Sequence, residues 1–114
     1  MKQSHINFDI TLDRENIPEK IRWVATDAPN NDAPLDAKAL SIALWDKKEC
    51  HSLRIDLWTK DMPVDEMKRF YVETIAGVGE NIQRATNDET MANMIYNFCD
   101  TLVEYLKKTE NQQS

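Results

Sequence analysis

The chain has 114 residues, 41% of them hydrophobic and 30% charged, and a formal charge of −6. This is the profile of one ordinary folded domain, residues 1–114, long enough to be stable without a disulfide or metal staple. Its acidic balance argues against nucleic acid and against an electrostatic anchor on an anionic membrane, both of which need a positive footprint.

Ile6, Phe8, Ile10 and Leu12 alternate with Asn7, Asp9 and Thr11, the period of a half-buried strand. The alternation also replaces the unbroken apolar stretch a signal peptide would carry, so a cytoplasmic protein is expected. Asp13-Arg14-Glu15-Asn16 reads as a turn, and Ile21, Trp23 and Ala25 as a second strand, with Pro18 just before it. Residues 27–34 are turn formers and read as a loop. From Leu35 to Asp46 a helical turn competes with a strand, and the alternation of Leu40, Ile42 and Leu44 favours a strand from about residue 38.

Leu53, Ile55 and Leu57 form the fourth alternating run, after a four-residue loop, Lys47-Lys48-Glu49-Cys50. Pairing Asp46 with His51 sets Leu44 opposite Leu53, Ile42 opposite Ile55 and Leu40 opposite Leu57, all on one face that is expected to be buried. Pro63 suits a helix start, with Asp61, Asp65 and Glu66 where the dipole favours them. Val64, Met67, Tyr71, Ile75, Val78 and Ile82 then recur at helical spacing as one buried stripe. Gly77 and Gly79 interrupt it, which implies either a kink or a close backbone approach. Thr86-Asn87-Asp88-Glu89 matches a capping box, and Met91, Ile95, Phe98, Leu102 and Tyr105 or Leu106 line the last helix. The polar tail, residues 109–114, is expected to fray. The expected fold is α+β: a four-stranded antiparallel sheet of two hairpins, followed by two helices packed on one face.

The chemistry-bearing residues form no catalytic pattern. His5 and His51 lack partners at metal-ligand spacing, and Cys50 and Cys99 read as free thiols, so no metal site or cofactor is expected. Neither a nucleophile elbow nor a phosphate-cradling glycine loop is present. The acidic group Asp56, Asp61, Asp65 and Glu66 is explained first by helix capping, with a divalent-ion or small-molecule site as the alternative. Trp45 and Trp58 share parity with Ser41, Ala43, Arg54 and Asp56, opposite the leucine face. Either they are covered, or Trp45, Arg54, Asp56 and Trp58 form a partner-binding surface in which Arg54 can stack on an indole.

The run Leu53-Arg54-Ile55-Asp56-Leu57-Trp58-Thr59-Lys60-Asp61-Met62-Pro63-Val64-Asp65-Glu66-Met67 resembles the GldC family of gliding-motility proteins. Leu44-Trp45-Asp46, Arg84-Ala85-Thr86, Phe98-Cys99-Asp100, Pro18-Glu19-Lys20-Ile21 and Trp23 add to the likeness, which extends over almost the whole chain. The resemblance implies a small cytoplasmic accessory protein of the gliding-motility apparatus, with no catalytic residues to carry over. A protein partner is therefore expected, with neither nucleic acid nor direct membrane insertion involved. An edge strand or the aromatic face would also suit homodimerisation.

Overall fold

A computed structural model describes residues 2–27 and 33–112. Most of the expected 27–34 loop lies outside the described residues, as do the last two residues of the tail. The element order is β1 (Ile6–Leu12), β2 (Pro18–Ala25), β3 (Leu35–Ala37), β4 (Ala39–Trp45), β5 (Ser52–Trp58), α1 (Val64–Thr86) and α2 (Glu89–Gln112). The chain divides into two compact units, Met1–Pro63 and Val64–Ser114, which are described in turn.

In the first unit the strands are antiparallel, but they form two sheets rather than the single four-stranded sheet expected: β1-β2-β3 and β4-β5. The reason lies at Lys38. The segment expected as one strand from about residue 38 begins earlier and bends there, so β3 pairs only with β2 while β4 pairs only with β5. Two backbone bonds tie the sheets together beside the bend: Thr59 N–H donates to the Lys38 carbonyl at 2.7 Å, and Lys60 N–H to the Pro18 carbonyl at 3.0 Å. Lys60 Nζ adds ion pairs to Asp13 at 3.2 Å and Glu19 at 3.1 Å.

Both hairpin turns are closed by an aspartate. Asp13 Oδ1 accepts from the N–H groups of Glu15 and Ile17 at 2.8 and 3.0 Å, and Asn16 closes the turn with φ 64°. Asp46 Oδ2 accepts from Lys48 and Glu49 at 3.1 and 2.6 Å, and Cys50 takes φ 54°. Asp46 N–H then donates to the His51 carbonyl, and Leu44–Leu53, Ile42–Ile55 and Leu40–Leu57 are paired as the alternation predicts.

Burial departs from the expectation. Ile21, flanked by Ile10 on β1 and Ala37 on β3, is completely buried, and Leu40 is buried at the start of β4. Leu44, Leu53 and Ile55 are not, and Leu44 is 56% exposed. The apolar face therefore runs from buried at Leu40 to solvated at Leu44 along the second hairpin.

In the second unit α1 and α2 form an antiparallel hairpin. Its cap is Asp88, whose Oδ1 accepts from Met91 N–H at 2.9 Å; the expected Thr86 instead bonds back to the Ile82 carbonyl at 2.6 Å, inside α1. The cap is thus displaced by two residues and the expected box does not form, since Asn87 adopts φ 59° and ends α1 before α2 can begin, and Met91 stands where a box needs Glu or Gln. Gly79 is the close approach: a Cβ there would lie 2.8 Å from Tyr96 Cε1 and 3.1 Å from Ile95 Cγ2. Gly77 faces open space. α2 continues through the polar residues from Thr109 to Gln112.

Candidate functional site

The two-stranded β4–β5 ribbon brings together all four residues singled out from the sequence. Strand parity and register place Trp45 opposite Ser52, Ala43 opposite Arg54, Ser41 opposite Asp56, and Ala39 opposite Trp58 on one face. The two indoles stand at opposite ends of this face, about 20 Å apart at roughly 3.3 Å per residue. Both are open to solvent, Trp45 at 69% and Trp58 at 47%. Of the two expectations, covered or exposed, the indoles take the second.

Between them lies a hydrogen-bonded group. Arg54 grips Asp56 in bidentate fashion, Nε to Oδ2 at 3.2 Å and Nη2 to Oδ1 at 3.0 Å. Ser41 bridges the pair, donating from Oγ to Asp56 Oδ1 at 2.6 Å and accepting from Arg54 Nη2 at 2.6 Å. The Arg54 hydrogen bonds, followed by that from Ser41, hold the Asp56 carboxyl below the usual carboxylate range. The planar fork of Arg54 is thereby fixed in orientation. Ser41 was not among the residues expected to act here, although its place opposite Asp56 follows from the same register that positions Arg54.

The acidic alternative is not gathered into one site. Asp56 is committed to Arg54 and Ser41 across the ribbon. Asp61 lies beyond the end of β5, lining a cleft of about 560 Å³ with Ile21, Asp36, Lys38 and Thr59. The buried Thr59 hydroxyl beside it lowers the Asp61 pKa, yet finds no partner in full hydrogen-bonding geometry. The charges around the cleft are largely offset: Asp36 pairs with Arg22, Glu19 with Lys60, and Lys38 acts favourably on Asp61. Asp65 and Glu66 occupy the first turn of α1. Among the described residues, no group of three or more His, Cys, Asp or Glu is placed to hold a metal ion. His51 Nδ1 lies 3.3 Å from the Ser52 carbonyl, and both thiols are free, Cys50 exposed and Cys99 buried.

Comparison with known proteins adds the biological context. The model of the family described as gliding motility-associated protein GldC-like matches residues 18–108. The chain belongs to this GldC-like family. The match begins at the first residue of β2 and runs through most of α2, so the tryptophan face lies wholly within it. No curated protein and no solved structure shows significant similarity to the chain. Among the described residues, no helix is long and apolar enough to cross a membrane.

Proposed function

We propose that this GldC-like chain is a cytoplasmic, non-catalytic accessory protein of the gliding-motility machinery. In this reading it works by binding another protein through the β4–β5 face of Trp45, Arg54, Asp56 and Trp58. The observation that carries the reading is the exposure of two tryptophans on one ribbon face, flanking an arginine already locked in place. Tryptophan and arginine are enriched among the residues that dominate the energetics of protein interfaces, and the entropy an arginine ordinarily loses on binding is already lost where Arg54 is held by Asp56 and Ser41. Because the Ser41–Arg54–Asp56 group is already paired, it can be covered without stranding a charge, which is the usual penalty when a polar group is buried at an interface.

The family supports the motility context, and the sequence offers no nucleophile, acid–base pair or metal-ligand set that would favour an enzyme. The test is affinity capture from the native lysate, with the wild type set against Trp45→Ala and Trp58→Ala. Recovery of motility components by the wild type, lost in both variants at unchanged melting temperature, is the expected result. Equal recovery by all three proteins would remove the tryptophan face from consideration, and a large loss of stability would make the indoles structural.

A further inference from the structure

The outer edge of β5 is a ladder with one side unfilled. Two backbone bonds fix which groups face inward: Asp46 N–H donates to the His51 carbonyl, and Thr59 N–H to the Lys38 carbonyl. By the alternation of an antiparallel pair, Leu53, Ile55 and Leu57 turn their N–H and C=O toward β4. Ser52, Arg54, Asp56 and Trp58 turn theirs outward. No strand pairs with that edge among the described residues; at its end the Ser52 carbonyl lies 3.3 Å from His51 Nδ1. The helical unit has no strand to offer, because the backbone groups of α1 and α2 are bonded within the helices. Such an edge is completed by another extended chain.

We propose that this chain is β5 of a second copy, paired antiparallel about a two-fold axis at Ile55, so that two ribbons make one four-stranded sheet. Charge complementarity selects the occupant. Outward residues must face outward residues, so the axis passes through a residue and never between two. An axis at Arg54 sets two guanidinium groups face to face, and one at Asp56 sets two carboxylates face to face, both destabilising. Ile55 is the midpoint of Ser52–Trp58, so an axis there pairs the whole strand. It places Arg54 opposite the second copy's Asp56, and Asp56 opposite its Arg54. Within each chain these two side chains already form an ion pair. Every charge then has an opposite charge beside it in its own strand and another across the ladder.

The remaining pairs match as well. Leu53 faces Leu57 and Ile55 faces Ile55 on one side of the sheet, while the small Ser52 faces Trp58 on the other. Glu49 and Asp61, the like charges that come next, lie in turns outside the ladder. The other long edges lack this fit. The same construction on β1 sets Asp9 opposite Asp9, a repulsion that guards that edge. β4 has no charged residue with which to fix a register. A strand complementary to itself gives a closed two-fold dimer. The ladder is made by backbone groups at the ribbon's edge, so the proposal does not rest on what the tryptophan face binds.

The experiment is sedimentation equilibrium of the purified full chain between about 5 and 500 µM. The wild type is expected at twice the 13.3 kDa of one chain. Arg54→Asp and Asp56→Arg each set like charges opposite each other twice, and each is expected to raise the dimer dissociation constant roughly 30-fold or more. An equimolar mixture of the two variants pairs an acidic strand with a basic one and is expected to return to the two-chain mass. The register is read separately by oxidation in a Cys50→Ser background, which removes the exposed thiol. Ile55→Cys meets its own copy at about 4.5 Å between Cα atoms and is expected to cross-link, whereas Leu53→Cys is not. This pair decides the matter if a charge variant fails to fold. A single-chain mass for the wild type at the highest concentration overturns the proposal. So does a dimer that both charge variants keep, a mixture that stays monomeric, or a cross-link at Leu53→Cys in place of Ile55→Cys.

Discussion

The two β-hairpins of this protein share one turn design, and each buries one apolar side chain while leaving others in solvent. Each four-residue loop opens with the side chain of a preceding or leading aspartate, Asp13 or Asp46, accepting two backbone N–H groups. Each also ends on a residue in the left-handed region, Asn16 or Cys50. Register is therefore settled locally in both. In the first hairpin Ile21, between β1 and β3, is completely buried while Ile6, Phe8 and Leu12 are exposed; in the second Leu40 is buried while Leu44, Trp45, Leu53 and Ile55 are exposed. Turn chemistry decides which residues face each other. The packing around each position decides whether water is excluded from it.

That contrast can be broken most directly at its extremes. Ile21→Ala is expected to destabilise by about 2–5 kcal/mol in urea unfolding, the range for truncating a buried aliphatic side chain. Leu44→Ala, in an equivalent alternating run, is expected to cost under about 1 kcal/mol, as exposed positions do. Equal losses would show that Ile21 and Leu44 are buried alike.

The helical unit repeats the contrast within two residues. Gly79→Ala forces a methyl against the Tyr96 ring and is expected to cost about 1–3 kcal/mol through overpacking. Gly77→Ala meets nothing and is expected to stabilise by up to about 1 kcal/mol through helix propensity. Thermal unfolding of the two variants reads the opposite signs, and shifts of the same sign would remove the close approach assigned to Gly79.

The turns themselves can be ranked next. Asp13 holds Lys60 as well as its own loop, whereas the Asp46 contacts in the structure are within its loop. Asp13→Ala is accordingly expected to lower the urea midpoint more than Asp46→Ala, and the reverse order would make the Lys60 tie between the sheets dispensable.

The smallest effect is a dependence on pH. The Asp13 pKa is lowered chiefly by the Ile17 backbone N–H, and that of Asp56 chiefly by Arg54. A carboxyl whose folded pKa lies below its unfolded value of 3.8 contributes stability that is present above that value and lost as pH falls through the folded pKa. Melting temperature is therefore expected to drop below about pH 4, and Asp13→Asn should show a shallower drop. An unchanged acid limb in that variant would leave Asp13 without this role.

Much of this molecule was legible in the residues because the signals are local. Period-two alternation located four of the five strands, and the Asp46–His51 closure set the β4–β5 register to the residue. That register was enough to bring Trp45, Arg54, Asp56 and Trp58 onto one face. The helix cap was displaced by two residues because Thr86 and Asp88 are both competent caps, and the left-handed turn at Asn87 chose between them. The short β3 and the bend at Lys38 gave no periodic signal. The Lys60 ion pairs join residues more than forty positions apart, which no local pattern announces.

What the sequence determined by itself was the class of every element but β3, the pairing within each of the two hairpins and the side of the ribbon on which its tryptophans stand. These follow from backbone periodicity and turn chemistry acting over a few residues. Only the tertiary structure decided that the sheet divides at Lys38, that Gly79 is a contact and Gly77 is not, and that much of the expected core is surface. Burial is set by what packs beside a residue, and periodicity names the face without naming the neighbour.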